Sequence, residues 1–348
     1  QALVINRQVA DRREEATTLG SLGTAIYLQG DKNKALDLFV ESGKIWNSLE
    51  DKHQESSVLY NQAKIQTQLN RLPEARKNIE SAINLVENLR TKIPIQRLRT
   101  SYFAKVQQYY ELYIEIQMLE NSPNLNVSAF ETSERSRSRS LLELLQEARI
   151  DIRQGIDVKL LDGEKKLLEI LTEKSRIFTN QLSVNTKPEL IEKAKKEIIE
   201  TENELENLRS QIRKQNPRYA SLTQTTPLSA KEIQNLLDNE TVLLEFKLGE
   251  VRSFLWLVTK TEIKVFYLPK REEIEKIGKE FYETVIAKKE TSEISAKLNQ
   301  MLFSQITSNI KNKRLAIVSD GILQFIPFSA ITENEIISLP SASVLAEL

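Results

Sequence analysis

A chain of 348 residues with 40% hydrophobic and 28% charged side chains has the make-up of a folded globular protein of two or three units. Its 49 basic residues are offset by 49 acidic ones, which removes any general electrostatic reason to expect nucleic acid or an anionic membrane as partner. There is no cysteine and one histidine, so disulfide frameworks, Cys/His zinc sites and Cys–His catalysis are excluded within these residues, and no cofactor or metal is expected.

The sequence opens on Gln1 rather than Met, so the true N-terminus is expected upstream, beyond sight of any leader or anchor. The first third matches itself at an offset of about 40 residues. Leu22-Gly23 aligns with Gln62-Ala63, Gly30-Asp31 with Asn70-Arg71, Ala35 with Ala75, Phe39 with Ile79 and Ser42 with Ala82. Small residues recur where two helices must approach, bulky ones where the gap behind must be filled. Gly30 and Asn70 suit the left-handed cap that ends a helix. Each unit thus reads as helix, tight turn, helix. The pattern Leu22-Gly23, Gly30-Asp31, Ala35 and Phe39 resembles the tetratricopeptide repeat (TPR), with a period near 40 in place of 34 that implies a longer linker or helix. Tyr102 to Leu119 and Ala129 to Glu147 read as a third pair. Stacked pairs build a concave groove. The resemblance implies that first helices line it, which carries Thr24, Tyr27, Tyr60, Lys64 and Gln68 over as partner-binding positions for a protein or peptide; the alternative is that they are ordinary surface residues. His53 lies between repeats in Asp51-Lys52-His53-Gln54, where a linker offers neither pocket nor oxyanion donors, so a Ser-His-Asp triad is not expected.

Next comes AFETSERSRSRSLLELLQE, Ala129 to Glu147. Arg135, Arg137 and Arg139 alternate with serines. Residues two apart lie about 200° apart on a helix, so Arg135 and Arg137 cannot share a face. The favoured reading is a helix with a solvated basic side and an apolar stripe of Leu141, Leu142, Leu144 and Leu145, against an RNA- or phosphate-binding strip. In residues 157 to 215, Leu160, Leu167, Leu171 and Phe178 recur near heptad spacing. Ile191, Ile198, Leu205 and Ile212 do so beyond a turn at Asn185-Thr186-Lys187-Pro188. This predicts a long antiparallel coiled-coil hairpin, read as an intramolecular brace in preference to a dimerisation arm.

The character changes at Asn216-Pro217. Tyr219 to Leu222 leads through Pro227 to a helix capped by Ser229. Strands are predicted at Thr241 to Leu248, Arg252 to Thr259 and Glu262 to Leu268, with Gly249-Glu250 as a two-residue hairpin turn. Helices follow at Arg271 to Ala287 and Thr291 to Ile310, then an apolar strand at Arg314 to Val318, ended by Ser319-Asp320-Gly321. Strands mixed with helices imply an α/β layer. The longest apolar runs, Thr241 to Phe246 and Ser253 to Val258, fall far short of the ~20 residues of a membrane helix, so no membrane segment is expected in this chain and the cytoplasm is its expected location. There is no GxxxxGK phosphate loop and no GxGxxG after a strand. At the corner, Gly321 permits a positive φ, Asp320 is placed to bond its own backbone, Pro327 stiffens the approach to a short helix and Phe328 points into the core.

Several blocks resemble the CHAT domain, a relative of caspases and separases. They are the AFE…ER…R…LLELL helix from Ala129, the stretch from Thr226 to Val258, RLAIVSDGILQFIPFSAI from Arg314 to Ile331, and SLPSASVL from Ser338 to Leu345. The resemblance covers roughly residues 125 to 348, and their order is more diagnostic than any one block. It gives the fold class as α plus α/β: residues 1–150 TPR-like helical repeats, 151–216 the helical hairpin, 217–348 the N-terminal part of a caspase-like CHAT domain. It implies a bacterial cysteine endopeptidase with a His–Cys dyad acting on a polypeptide substrate. It places Asp320, Gly321, Pro327 and Phe328 on the substrate-binding edge of the sheet. The family's dyad lies beyond the SLPSA block, so this chain is expected to be a fragment that stops short of it, with no catalytic residue of its own. The alternative is a non-catalytic TPR adaptor that uses a degenerate caspase-like fold for protein binding.

Overall fold

The computed structural model describes residues 2–90, 96–147, 156–183, 188–215 and 228–347. Two compact units emerge, one of residues 1–116 with 144–224, the other of residues 117–143 with 225–348.

The first unit begins with α1 (Ala2–Gln8), α2 (Arg12–Leu28), α3 (Lys32–Ser48), α4 (Lys52–Gln68), α5 (Leu72–Arg90) and most of α6 (Gln96–Glu120). Helices α2, α3 and α4 each span 17 residues. Asp11, Asp31 and Asp51 cap them, accepting from the amides of Glu14, Lys34 and Gln54 at 3.0, 3.1 and 3.2 Å. A left-handed residue precedes each cap: Ala10, Gly30 and Glu50, with Asn70 in the matching place before α5. Each corner closes alike, the amide of Asp31 reaching Ile26 O at 3.3 Å and that of Asp51 reaching Trp46 O at 3.1 Å. The true step is therefore one helix and one corner, and two steps make the period of about 40. Helix length, not a longer linker, accounts for it.

Small residues and crossing polar bonds lock the helices together. A Cβ on Gly23 would meet the Phe39 ring at 3.2 Å. Buried Ser42 Oγ donates to Ala16 O at 2.8 Å, and Gln62 Nε2 donates to Phe39 O at 3.0 Å. Gln62 thus ties α4 to a carbonyl of α3. The hairpin consists of α8 (Val158–Ser183) and α9 (Pro188–Gln215), with Leu171, Leu205 and Ile212 buried. Arg209 meets Glu164 at 2.8 Å, and Lys174 Nζ donates to Thr201 Oγ1 at 2.8 Å, which pins the register. Asn185 to Lys187, Asn216-Pro217, Tyr219 to Leu222 and Pro227 lie outside the described residues, as do the side chains of Ile191 and of Arg139 to Leu145.

The second unit holds α7 (Pro123–Glu147) as far as Glu143, α10 (Ala230–Leu236), α11 (Arg271–Ile286), α12 (Ser292–Phe303), α13 (Thr307–Ile310) and a five-stranded mixed sheet. Its strands are β1 (Thr241–Lys247), β2 (Ser253–Val258), β3 (Ile263–Leu268), β4 (Arg314–Val318) and β5 (Ile336–Leu339), in the order β3-β2-β1-β4-β5. β1, β2 and β3 pair antiparallel; β1, β4 and β5 pair parallel. The near-continuous apolar runs of β1, β2 and β4 fit strands covered on both faces. Leu244, Phe246, Leu255, Leu257, Leu315 and Ile317 form one core with Phe281, Leu298 and Phe303 of the helices. Alternation turns Leu243, Glu245, Lys247 and Trp256 to the other face, where α7 packs. Trp256 Nε1 donates to Asn126 O at 3.2 Å, and its ring lies 6.2 Å from that of Phe130.

Three local expectations are corrected. Ser229 does cap α10, through a full capping box with Glu232, but Gly249-Glu250 is not a two-residue turn, since the ladder closes at Lys247↔Phe254. The backbone of Leu248 is claimed elsewhere: its amide by Asp320 Oδ2 at 2.8 Å, its carbonyl by Arg271 Nη2 at 2.8 Å. The helix expected over Thr291 to Ile310 breaks after Phe303, where a turn sends Ile306 into the core. β5, four residues long, was not anticipated; two of its residues are half-buried and one is exposed, so its apolar pattern is weak.

Candidate functional site

Five positions were expected to line a groove on the repeats. Tyr27 and Gln68 are brought together, Gln68 Nε2 donating to the Tyr27 hydroxyl at 2.7 Å. That bond makes α2 and α4 neighbours in one row. Tyr60 of α4 stacks on Tyr109 of α6, ring centroids 4.7 Å apart and planes at 13°, so α6 continues the row. Thr24 is exposed and returns its hydroxyl to Gly20 O at 3.0 Å; Lys64 is exposed. Tyr109 was missed, although Tyr109, Tyr110 and Tyr113 crowd one helix. Burial pushes its phenol up, against hydrogen bonds with Ser57 and Ser56 that lower it. The row offers hydroxyls, amides, aromatic faces and one ammonium, a set suited to gripping a polypeptide backbone. His53 stands in the first turn of α4, exposed, its carbonyl accepting from Ser56 and Ser57.

The corner after β4 lies beside the end of β1. Gly321 has φ +54°, and a Cβ there would meet Leu248 Cδ1 at 3.0 Å. Asp320 does not bond its own backbone as expected, because its extended conformation aims the carboxylate across the strands at the Leu248 amide. Lys247 Nζ lies 3.7 Å from it. Burial alone would raise the Asp320 carboxyl; Lys247, Arg137 and the Leu248 amide outweigh it and hold the group below its ordinary range. Phe328 is in the core, 5.9 Å from the Phe246 ring and 6.2 Å from that of Phe303. Pro327 is exposed just before it.

The solvated basic side expected of the Arg-Ser helix is overturned. Ser133, Glu134 and Ser136 are buried, and the Arg137 side chain is only 11% exposed. Arg135, on the opposite side, is exposed. Arg137 Nε donates to Glu245 Oε1 at 3.1 Å and Nη1 to Ser319 O at 2.6 Å; Nη2 donates to Phe246 O. Ser133 Oγ donates to the same Glu245 oxygen at 2.5 Å. Glu134 accepts from Ser341 Oγ, Ala342 N, Ser343 N and Ser343 Oγ at 2.9–3.0 Å. Burial and the neighbouring Glu134 raise the Glu245 carboxyl well above its ordinary range, against Arg137 and Ser133. One turn of α7 thereby ties together the ends of β1, β4 and β5. Ser133 and Arg137 supply donors to Glu245, Phe246 O and Ser319 O, while Glu134 accepts from the turn after β5. A lone carboxylate within the strand TVLLEFK was the available signal: Glu245 in an otherwise apolar run must find a partner.

No family model matches the chain, and no curated protein matches it. Among the described residues, no group of His, Cys, Asp and Glu is placed to hold a metal ion, and no helix is long and apolar enough to cross a membrane.

Proposed function

We propose that this chain is part of a caspase-like cysteine endopeptidase of the TPR–CHAT kind. The helix row captures a polypeptide along Thr24, Tyr27, Tyr60, Lys64 and Gln68. The sheet frames the substrate-binding edge at Asp320, Gly321 and Pro327, with Phe328 anchoring it from the core. The His–Cys dyad is not among these residues, so the chain does not cleave by itself. What carries the reading is the parallel trio β1, β4 and β5, which brings the Asp320-Gly321 corner to the C-terminal end of β1, where ligands of open α/β sheets bind.

The test is the intact mass of the native protein, with peptide sequencing past Leu348 and labelling by a peptide carrying a thiol-directed acylating group. A downstream His and Cys, with covalent labelling lost on Cys→Ala, supports the peptidase. A native protein without cysteine supports the second reading, a TPR adaptor with a degenerate caspase-like fold. One observation favours that alternative: the Asp320 carboxylate is taken up by the Leu248 amide and Lys247, and Phe328 lies in the core. Replacing Tyr27 and Lys64 by Ala weakens polypeptide capture under either reading.

A further inference from the structure

Helix α1 stands to α2 as α3 stands to α4, with matching places 40 positions apart. The corner before α2 holds left-handed Ala10 and an Asp11 amide that reaches Asn6 O at 3.0 Å; the corner before α4 holds left-handed Glu50 and an Asp51 amide that reaches Trp46 O at 3.1 Å. Across the first pair Arg7 Nε donates to Glu15 Oε1 at 2.8 Å. At the matching places of the second pair Asn47 Nδ2 donates to Glu55 Oε1 at 2.7 Å. The α3–α4 pair also has α2 packed on it. The α1–α2 pair has no such third helix among the described residues.

What α2 does for α3 and α4 defines what the first pair lacks. It shares one core with them, in which Ala16 and Leu19 join Phe39, Ile45, Val58 and Ile65. That core leaves Ile45 3% exposed, whereas Ile5, its match on α1, is 56% exposed. The Tyr27 hydroxyl of α2 accepts from Gln68 of α4, whereas Leu28, at the place of Gln68, is 78% exposed. Arg13 of α2 lies 5.4 Å over the Trp46 ring and meets Asp51 Oδ2 at 2.9 Å, while Asp51 Oδ1 caps α4. Asp11, the match of Asp51, caps α2 with Oδ1, and no cation among the described residues meets its other oxygen. Scattered exposed apolar residues need no account, but Ile5 and Leu28 occupy places that the array itself covers or engages one step further on.

We propose that the face formed by α1 and α2 is a docking site for one more amphipathic helix, seated as α2 is seated on α3 and α4, and that this helix is the segment of the same protein that leads into α1. Successive helices of the array are joined by tight corners, so the helix that takes the place of α2 is the one before α1. Its apolar stripe covers Ile5 and Leu28. A basic residue near its N-terminus, at the place of Arg13, pairs with the open oxygen of Asp11. The row of α2, α4 and α6 is then one helix longer on its α2 side.

The test compares amide exchange in the native protein with exchange in these 348 residues alone. Amides of α1 and of the last turn of α2 are expected to exchange at least about tenfold more slowly in the native protein, with α3 to α5 unchanged. Ile5→Glu is harmless in the 348 residues, where the side chain is exposed, and is expected to cancel the slowing in the native protein. Equal exchange in the two proteins overturns the proposal, as does slowing that survives Ile5→Glu. Slowing that appears in the 348 residues as their concentration is raised assigns the face to a second copy and overturns it too. Slowing that is lost when the native protein is stripped of bound proteins does the same, by assigning the face to a separate partner.

Discussion

Arg137 of α7 and Glu245 of β1 meet at 3.1 Å although 108 positions separate them in the chain. The guanidinium also donates to two main-chain carbonyls, Phe246 O and Ser319 O, so one side chain serves the ends of adjacent parallel strands. A planar fork with five donors fits that task, and an ammonium does not.

Arg137→Ala therefore destabilises the sheet unit by about 3–5 kcal/mol, since it strands buried acceptors, and Arg137→Lys recovers less than half of that. Trp256 fluorescence during urea unfolding, read in a Trp46→Phe background, reports the change. The repeat unit, read through Trp46 with Trp256→Phe, keeps its midpoint.

Asp320 gives a second, acid-sensitive contribution. Its folded carboxyl lies below the ordinary range, so its stabilisation is full above the unfolded value near ~4 and disappears as pH falls through the folded value. Asp320→Asn flattens the acid limb of the stability profile and costs about 1–3 kcal/mol at neutral pH, through loss of a charged acceptor for the Leu248 amide. An unchanged acid limb contradicts this role for Asp320.

The repeats are less than optimal at two corners. Ala10 and Glu50 hold φ of 56° and 54°, values that Gly30 adopts without a side-chain penalty. Glu50→Gly raises the stability of the repeat unit by roughly 0.5–1 kcal/mol, whereas Gly30→Ala lowers it by about 1 kcal/mol. Thermal unfolding of each variant against wild type checks both signs.

Gln62→Ala removes the bond to Phe39 O, whose carbonyl keeps its intrahelical partner within α3, at a cost of about 1 kcal/mol. Gln62→Leu removes the same bond and costs a similar amount. A stabilising Gln62→Leu contradicts the structural role of the Gln62 amide.

Regular elements were legible because their signals are local. Thr241 to Leu248, Arg252 to Thr259 and Arg314 to Val318 read as strands from apolar runs, and Ser229 as a cap from its own side-chain chemistry. Asp31 and Asp51 announced nothing by themselves. Their common step appears only when successive helices are compared, and the buried residues at matching places, Glu15, Ala16 and Leu19 against Ala35, Leu36 and Phe39, differ in kind. The Arg-Ser stretch was misread because helical geometry separates Arg135 from Arg137 without saying which one is inside. Glu245, a carboxylate in a buried strand, settles that, and its partner lies far away in sequence. Of the expected groove positions, Tyr27 and Gln68 are joined by a hydrogen bond, while the Tyr60–Tyr109 stack needed the third helix of the row in place.

Native-state amide exchange on the whole chain, with and without Arg137→Ala, tests most directly the claim that α7 is built into the sheet unit. The expected result is that amides of residues 123–137 open together with those of β1 and β4, and that Arg137→Ala accelerates all three equally while α2 to α5 keep their protection. Opening of residues 123–137 together with α4 and α5, with β1 and β4 unaffected, would contradict it.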